Sequence, residues 1–525
     1  MGRHAVNAIV GALALAGIVL RGVILNSDLG ALDADEGVWG TMARHALHGE
    51  VGAFFWGQGY GGTHETLLTA GAFALTGSSI DALRSVPLVL FAVGALLTWR
   101  IGIRTVGEPY ARLGGAVFWV SSAYVVWKST RAHGFYGSGL VLGLVVILLT
   151  LRLAELVTRR DLLLLGFAFG LGWWATPQVL VLAVPALAWL FWRRRHMLGQ
   201  AWLAGAAAII GSLPWIVSNV RHDWFSFRVP RPESSVADRF HNLVVTTFPS
   251  ALGPRLPFTL EWVGGAFVGG CLYATLLAAI VWTVVNRRTQ LGPLLPVLVA
   301  FPAFYVISPY AWLITEPRYL VLVGPALALV LVAAGGTPGR SAGIACVLAS
   351  LTAVGVGLLI RQDVALAHSD GVAVPSDLGP LLRTLEAHDV RHAYADYWIA
   401  WRVVFESREK IIAVPGRGRV LGAASGSGRR DPGEAGRYPP YYRAVTASPT
   451  AAYVFMAGSP REDESRRRLL AAGYRRLRTA DFVVYVRPRR ANPASARINS
   501  AATSTRVTFR ASTAQEIGSR RTRSP

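Results

Sequence analysis

Three carboxylates stand close together near the start of a chain that contains few acids. Asp33, Asp35 and Glu36 lie in the stretch LDADEGVWG, directly after a long apolar run. A carboxylate can take a proton from an incoming hydroxyl group, but an acid in front of a helix can equally cap its first turn. Capping is favoured for Asp33, whereas the adjacent Asp35 and Glu36 are predicted to do chemistry.

Other polar residues that could serve the same site recur in later stretches of the chain. They are Tyr60, His64 and Glu65 in GYGGTHETLL, Lys128, Arg131 and His133 in WKSTRAH, and Arg318 and Tyr319 in ITEPRYL. Lysine and arginine bind phosphate, and arginine does so with two parallel hydrogen bonds. Carboxylates and cations on one side of a helix bundle therefore predict a site for a phosphate-linked substrate.

Simpler structural explanations exist for several of these residues. Lys128 and Arg131 could extend their charged ends from an apolar surface to water. His64 and Glu65 are adjacent, and adjacent residues do not share a helix face, so a metal-ligand role for His64 is the weaker alternative.

The composition is that of a protein with many membrane-spanning segments. Of the 525 residues, 53% are hydrophobic and only 16% are charged, whereas soluble domains carry about 25% charged residues. The net charge of +22 falls largely in short loops and a basic tail, which indicates a topology signal and anionic-lipid contact and not nucleic-acid binding. Cys271 and Cys346 lie in apolar runs, which argues against a disulfide framework and a cysteine metal site.

About eleven stretches are apolar enough to be candidate membrane spans. They lie near 5–26, 82–104, 112–128, 135–156, 161–175, 177–192, 199–218, 261–285, 291–309, 318–335 and 341–361. The first is predicted to be a retained signal-anchor, since it lacks a clear cleavage site. The fifth and sixth meet at Thr176-Pro177, where proline would end one helix and begin the next, although one broken or re-entrant element remains an alternative.

The charges of the loops support a topology with the N-terminus inside. Under this count the arginine-rich loops all fall on the cytoplasmic side, as membrane proteins prefer. The opposite side receives the acidic loop 27–81, the loops 129–134, 219–260 and 310–317, and everything after 361. The sequence thus predicts a transmembrane domain over 1–361 whose polar candidates share the extracytoplasmic face.

The pattern changes after the last span. Residues 362–490 alternate short β runs, such as AAYVFMA and FVVYVRP, with amphipathic helical segments, such as LGPLLRTLEAHDV, which predicts a small extracytoplasmic α/β domain. Residues 491–525 are rich in Ser, Thr, Ala and Arg without an apolar period, and we expect a disordered basic tail there.

The order and sidedness of these motifs resemble the GT-C superfamily of polyprenyl-phosphate-sugar-dependent glycosyltransferases. DADEGVWGTMARHALHG and YGGTHETLLTAGAFALTG resemble the first outer loop of the protein O-mannosyltransferase and aminoarabinose-transferase group, and EPRYLVLVGPALAL is similar to its late helix. GGTHETLL stands where aminoarabinose transferases carry a Lys-Pro-Pro run, and the Trp-Trp-Asp-Tyr-Gly motif of oligosaccharyltransferases is missing. The likeness covers roughly residues 5–410 in pieces and does not identify the sugar.

The resemblance implies a mainly α, polytopic GT-C helix bundle in a bacterial cytoplasmic membrane. It implies inverting transfer of a sugar from a polyprenyl-phosphate donor to a glycan, lipid or protein hydroxyl on the outer face. Carried over by position, Asp35 is the general base, Glu36 the paired acid and Glu65 its support. The resemblance implies that Lys128, Arg131 and Arg318 contact the phosphate. Whether Asp35, Glu36 or His64 holds a divalent ion is left open by the resemblance.

Two other functions are compatible with parts of the sequence. A transporter or flippase of lipid-linked sugars would place paired ionisable residues near the middle of the membrane, whereas the predicted spans are nearly free of them. A non-catalytic membrane scaffold would bind a partner through residues 362–490 and would keep its role without the acidic loop.

Overall fold

The computed structural model describes residues 2–228, 234–309, 311, 313–416 and 437–487. The tail 491–525, for which disorder is expected, lies outside the described residues. Through residue 361 the described chain is mainly helical. Its helices are α1 (Arg3–Leu25), α2 (Ala34–Leu47), α3 (His64–Thr76), α4 (Ile80–Thr105), α5 (Tyr110–Val120), α6 (Ala123–Lys128), α7 (Tyr136–Glu155), α8 (Arg159–Ala175), α9 (Leu180–Arg193), α10 (Ala201–Gly211), α11 (Leu213–Arg221), α12 (Val236–Asn242), α13 (Phe248–Leu252), α14 (Gly265–Asn286), α15 (Arg288–Leu291), α16 (Leu294–Ile307), α17 (Gly324–Ala334) and α18 (Pro338–Arg361).

Among the described residues, α1, α4, α7, α14 and α18 are long and apolar enough to cross a membrane. A sixth candidate is the helix pair Arg195–Gly211 and Leu213–Arg221, which is bent by 60°. The expected eleven spans are therefore not confirmed. One reason is that several apolar stretches are broken: 112–128 divides into α5 and α6, and the two helices around Thr176-Pro177 end and restart at that proline as predicted.

A small sheet domain follows the last long helix. A two-stranded hairpin comes first, and then a five-stranded sheet of order β4-β3-β5-β7-β6. Its elements are β1 (His368–Ser369), β2 (Val372–Ala373), α19 (Gly379–Ala387), β3 (His392–Ala395), α20 (Tyr397–Glu406), β4 (Ile412–Pro415), α21 (Pro439–Ala447), β5 (Ala452–Met456), α22 (Pro460–Ala471), β6 (Arg475–Thr479) and β7 (Phe482–Val486). β3 pairs in parallel with both β4 and β5, whereas β7 pairs antiparallel with β5 and β6.

The sheet domain and the first loop share one hydrophobic core. Trp39 of α2 and Phe55 of the following loop are buried in the same cluster as Trp401 and Phe405 of α20. The two helices approach closely because glycines face the contact: a Cβ on Gly37 would lie 2.5 Å from the Trp401 carbonyl oxygen. The C-terminal sheet domain is thus held directly against the helix that carries the candidate carboxylates.

Candidate active site

Asp33 forms the N-cap of α2, as the sequence predicts. Its Oδ1 accepts a hydrogen bond from the Glu36 backbone N–H at 2.9 Å, and Glu36 Oε2 accepts from the Asp33 backbone N–H at 3.3 Å. This reciprocal pair is a capping box, which satisfies two backbone donors of the first helical turn. The capping box fixes how α2 begins and therefore where Asp35 points.

Glu36 is sealed inside the protein and holds two arginines. Arg84 of α4 forms a two-point contact with it, Nε to Oε1 at 2.9 Å and Nη2 to Oε2 at 2.7 Å. Arg131 approaches Oε2 at 3.3 Å, and the Ala132 N–H donates to Oε1 at 3.0 Å. Burial alone would raise the pKa of Glu36, but Arg131 and Arg84 outweigh it and lower the pKa. With 0% of its side chain exposed, Glu36 has the surroundings of a buried ion pair, and its role as the paired catalytic acid stays a prediction.

Asp35, one residue earlier, is open to solvent on one side. Its side chain is 40% exposed. Oδ1 accepts hydrogen bonds from the Tyr397 hydroxyl at 2.5 Å and from Arg437 Nη2 at 3.3 Å, both of which belong to the sheet domain. Within the described part of the chain, Oδ2 accepts no hydrogen bond. Asp35 is thus oriented through one oxygen and able to receive a proton on the other.

A line of hydrogen bonds runs from the helix cap into the protein. His133 Nε2 contacts Asp33 Oδ2 closely, and His133 Nδ1 lies 2.7 Å from Lys128 Nζ. Arg131 Nη2 also reaches Asp33 Oδ2, at 3.4 Å. Burial would raise the pKa of Asp33, but the contacts with His133 and Arg131 hold it well below its usual range. The loop 129–134 is therefore locked onto the start of α2.

Several charged side chains surround Lys128. It is buried, and its ammonium lies over the Tyr136 ring, 4.1 Å from the centroid. Asp33, Asp35, Glu316 and Arg318 are all within electrostatic reach of it. The late loop joins here through Glu316, which accepts from the Tyr124 hydroxyl at 2.9 Å and lies 3.2 Å from Arg318.

The structure places Glu65 beneath this group. Its Oε1 accepts hydrogen bonds from the Ser138 backbone N–H at 2.8 Å and from the Ser138 hydroxyl at 3.0 Å. A carboxylate at the N-terminus of a helix, here α7, is stabilised by the helix dipole. Glu65 is buried and within electrostatic reach of Lys128, and its supporting role in the site stays a prediction.

The remaining candidates divide between the site and its surroundings. Tyr319 interacts electrostatically with Tyr136 and Tyr60, which places the late loop and the first loop on one side. His64 instead packs against Trp174 with the ring centroids 4.0 Å apart, and burial lowers its pKa to about 4. Across the described residues, no three His, Cys, Asp or Glu side chains form a group that could hold a metal ion.

Sequence reasoning missed Tyr397, Arg437, Arg84 and Tyr136. Arg84 had a detectable signal, because a cation at the start of an apolar run requires a partner. Tyr397 lies in ADYWIAW, but no local pattern pairs it with a carboxylate 362 positions earlier.

The sequence matches no protein-family model and no curated protein. Solved structures nevertheless share its fold. ArnT from Cupriavidus metallidurans bound to undecaprenyl phosphate superimposes with a TM-score of 0.62 and 14% identity, over 92% of this chain and 98% of that one. The Archaeoglobus fulgidus oligosaccharyltransferase in complex with zinc and sulfate gives a TM-score of 0.51 and 11% identity, over 85% of this chain and 67% of that one. The chain therefore shares the fold of ArnT and of this oligosaccharyltransferase, and the fold expected from the sequence is confirmed.

Proposed function

We propose that this protein is a membrane glycosyltransferase that moves a sugar from a polyprenyl-phosphate donor to a hydroxyl group of an acceptor. The observation that carries the proposal is the environment of Asp35, a partly open carboxylate oriented by Tyr397 and Arg437 and within electrostatic reach of the buried Lys128. The shared fold with ArnT, which was solved with undecaprenyl phosphate bound, supports a lipid-phosphate donor.

The reaction is a single displacement at the sugar's anomeric carbon. The acceptor oxygen forms the new bond, and the bond between that carbon and the phosphate oxygen breaks. Asp35 takes the acceptor's proton, and the electron pair of the broken bond stays on the polyprenyl phosphate that leaves. One displacement inverts the configuration at that carbon. General-base catalysis of this kind contributes about 10²–10⁴-fold.

Cations near Asp35 would stabilise the phosphate that leaves. Arg318 is the cation of the late loop: its side chain is partly exposed, and its buried Nε has no hydrogen-bond partner among the described residues. Lys128 adds positive charge from a buried position. Charged groups fixed in a water-poor site stabilise developing charge more than they would in water.

Other candidates act indirectly in this proposal. Glu36, Arg84 and Arg131 hold α2 in place, and Glu65 fixes the start of α7. We route no step through a metal ion, because the described carboxylates and His64 do not come together as a ligand set. We further propose that the site faces the extracytoplasmic side, since the arginine-rich loops predict the opposite face as cytoplasmic.

A transfer assay on the purified full-length protein in liposomes tests the proposal. Donors are polyprenyl phosphates carrying mannose, glucose, arabinose or aminoarabinose, the acceptor is a cell-envelope extract, and mass spectrometry follows release of polyprenyl phosphate. Asp35→Asn should slow release by about 10²–10⁴-fold while the protein stays folded.

Asp28→Asn provides the matched control, because Asp28 is an exposed carboxylate of the same loop. It should retain wild-type transfer. Full transfer by Asp35→Asn would overturn the assignment of the base, and no release from any donor by the wild-type protein would overturn the proposed activity.

A further inference from the structure

The sheet domain contains a second polar crevice at the carboxyl end of its parallel strands. β3 lies between β4 and β5 in the sheet. The chain continues from β3 to β4 on one side, and β5 then pairs with β3 on the other side. In open α/β sheets, ligands bind in the crevice at such a switch point, outside the carboxyl ends of the strands. The crevice is shallow and open to solvent on one side, and residues of β3 and β5, Gly416 after β4 and the turn between β1 and β2 line it.

Charged residues from three separate segments line the crevice. Asp370 comes from the turn between β1 and β2, Asp396 follows β3, and Arg461 lies in the first turn of α22. Arg461 lies 2.8 Å from Asp370 and 3.9 Å from Asp396. All three side chains are only partly buried, so each keeps a polar surface toward the opening.

Two aromatic rings complete the lining. Tyr394 of β3 and Tyr453 of β5 are stacked, with their centroids 5.2 Å apart and their planes at 24°. Gly416, which follows β4, lies close against Tyr394, because a Cβ there would lie 3.1 Å from the tyrosine's own Cβ. The crevice thus combines apolar ring surface with carboxylate acceptors and guanidinium donors.

This combination matches a saccharide better than a phosphate compound. Two carboxylates and one guanidinium give the crevice a net negative charge, which repels anions. Sugar hydroxyls can donate to Asp370 and Asp396 and accept from Arg461, while the apolar face of a sugar ring can pack against tyrosine.

The crevice is also connected to the first-loop carboxylate. Asp396 is followed directly by Tyr397, whose hydroxyl donates to Asp35. We propose that the crevice is a saccharide-binding subsite and that it holds a glycan portion of the acceptor. The identification of that glycan as the acceptor rests on the proposed function, whereas saccharide binding itself does not.

Binding measurements on the full-length protein in lipid nanodiscs test this. The probes are maltotriose, mannotriose and N,N′-diacetylchitobiose, followed by saturation-transfer NMR. Wild-type protein should bind at least one of them. The double variant Asp370→Asn/Arg461→Gln removes a charge of each sign and should weaken that binding by about tenfold or more.

Controls separate binding from folding and from catalysis. Arg467→Gln changes an exposed arginine on the same helix and should bind as the wild type does. If the double variant loses its native elution profile, Tyr394→Leu replaces it, with the same expected loss. Asp35→Asn should lose transfer but keep saccharide binding. Absence of binding by wild-type protein to all three probes, or unchanged binding by the folded crevice variants, would overturn the subsite, and neither result bears on transfer from the lipid donor.

Discussion

Two neighbouring carboxylates on α2 have opposite surroundings. Glu36 is completely buried, and its two oxygens receive hydrogen bonds or ion pairs from Arg84, Arg131 and two backbone N–H groups. Asp35 is 40% exposed and is held through one oxygen by Tyr397 and Arg437. Adjacent residues of one helix thus place one carboxylate in a buried ion-pair cluster and the other at a partly open surface.

Helix geometry accounts for the difference. Successive residues of an α-helix point about 100° apart, so adjacent side chains cannot share a face. Glu36 occupies the position where a capping box turns the side chain back toward the N-cap, and there it meets α4 and the loop 129–134. Asp35 turns instead toward the sheet domain. The two carboxylates of the Asp-Glu pair therefore face different surroundings although they are adjacent in sequence.

The strongest test of this contrast is loss of the Glu36 charge. Glu36→Gln leaves the buried Arg84 without its ion-pair partner and leaves Arg131 with Asp33 alone, and breaking a buried ion pair in this way costs about 3–5 kcal/mol. We expect a much lower apparent melting temperature and poor recovery of folded protein from membranes. Asp35→Asn is the matched substitution and should cost less than about 1 kcal/mol. Equal stability of the two variants would mean that Glu36 is not the structural member of the pair.

A second test acts on the contact that brings the sheet domain to α2. Gly37→Ala places a Cβ 2.5 Å from the Trp401 carbonyl oxygen, a backbone atom that cannot move aside alone. Overpacking of this kind costs about 1–3 kcal/mol, and the displaced α20 would also weaken the contact of Tyr397 with Asp35. Gly71→Ala in α3 is the control, since a Cβ there has no neighbour within 4 Å. Thermal unfolding that is equally affected by both changes would argue against close docking.

A third test concerns Asp35, the partly exposed carboxylate of the pair. Tyr397→Phe removes a hydrogen bond to a charged carboxylate while the ring remains. We expect transfer to fall by about tenfold, mainly in kcat, because Asp35 loses a donor that orients it. Tyr442→Phe, in α21 of the same domain, should leave transfer unchanged. Wild-type transfer by folded Tyr397→Phe would show that the Tyr397 hydroxyl does not act on Asp35.

The sequence predicts local secondary structure well, but it does not predict which residues contact the two carboxylates. Capping by Asp33, the strands in AAYVFMA and FVVYVRP, and the helix in LGPLLRTLEAHDV follow from local pattern, and the structure contains them. The strand RRLRT lacks an apolar alternation and was not expected. The partners of Asp35 come from residues hundreds of positions away, and such contacts are set by tertiary packing. The local sequence pattern is enough to identify the carboxylates as candidates, but it does not show which contacts each of them makes.

The smallest predicted effect concerns the far end of α2, where pH should modulate its contact with the sheet domain. His45 lies 2.8 Å from Glu409 and 2.7 Å from Glu50, and the Glu409 hydrogen bond, with that of Glu50, raises the pKa of His45 against the effect of burial. The protonated imidazole is favoured in the folded state. Its stabilising contribution is therefore complete below the unfolded-state pKa of about 6.5 and is lost as pH rises through the raised value. Wild-type protein should lose about 1 kcal/mol over that interval, measured as a falling melting temperature, and His45→Gln should remove this dependence. A His45→Gln protein with the same decline would show that the pH sensitivity comes from another group.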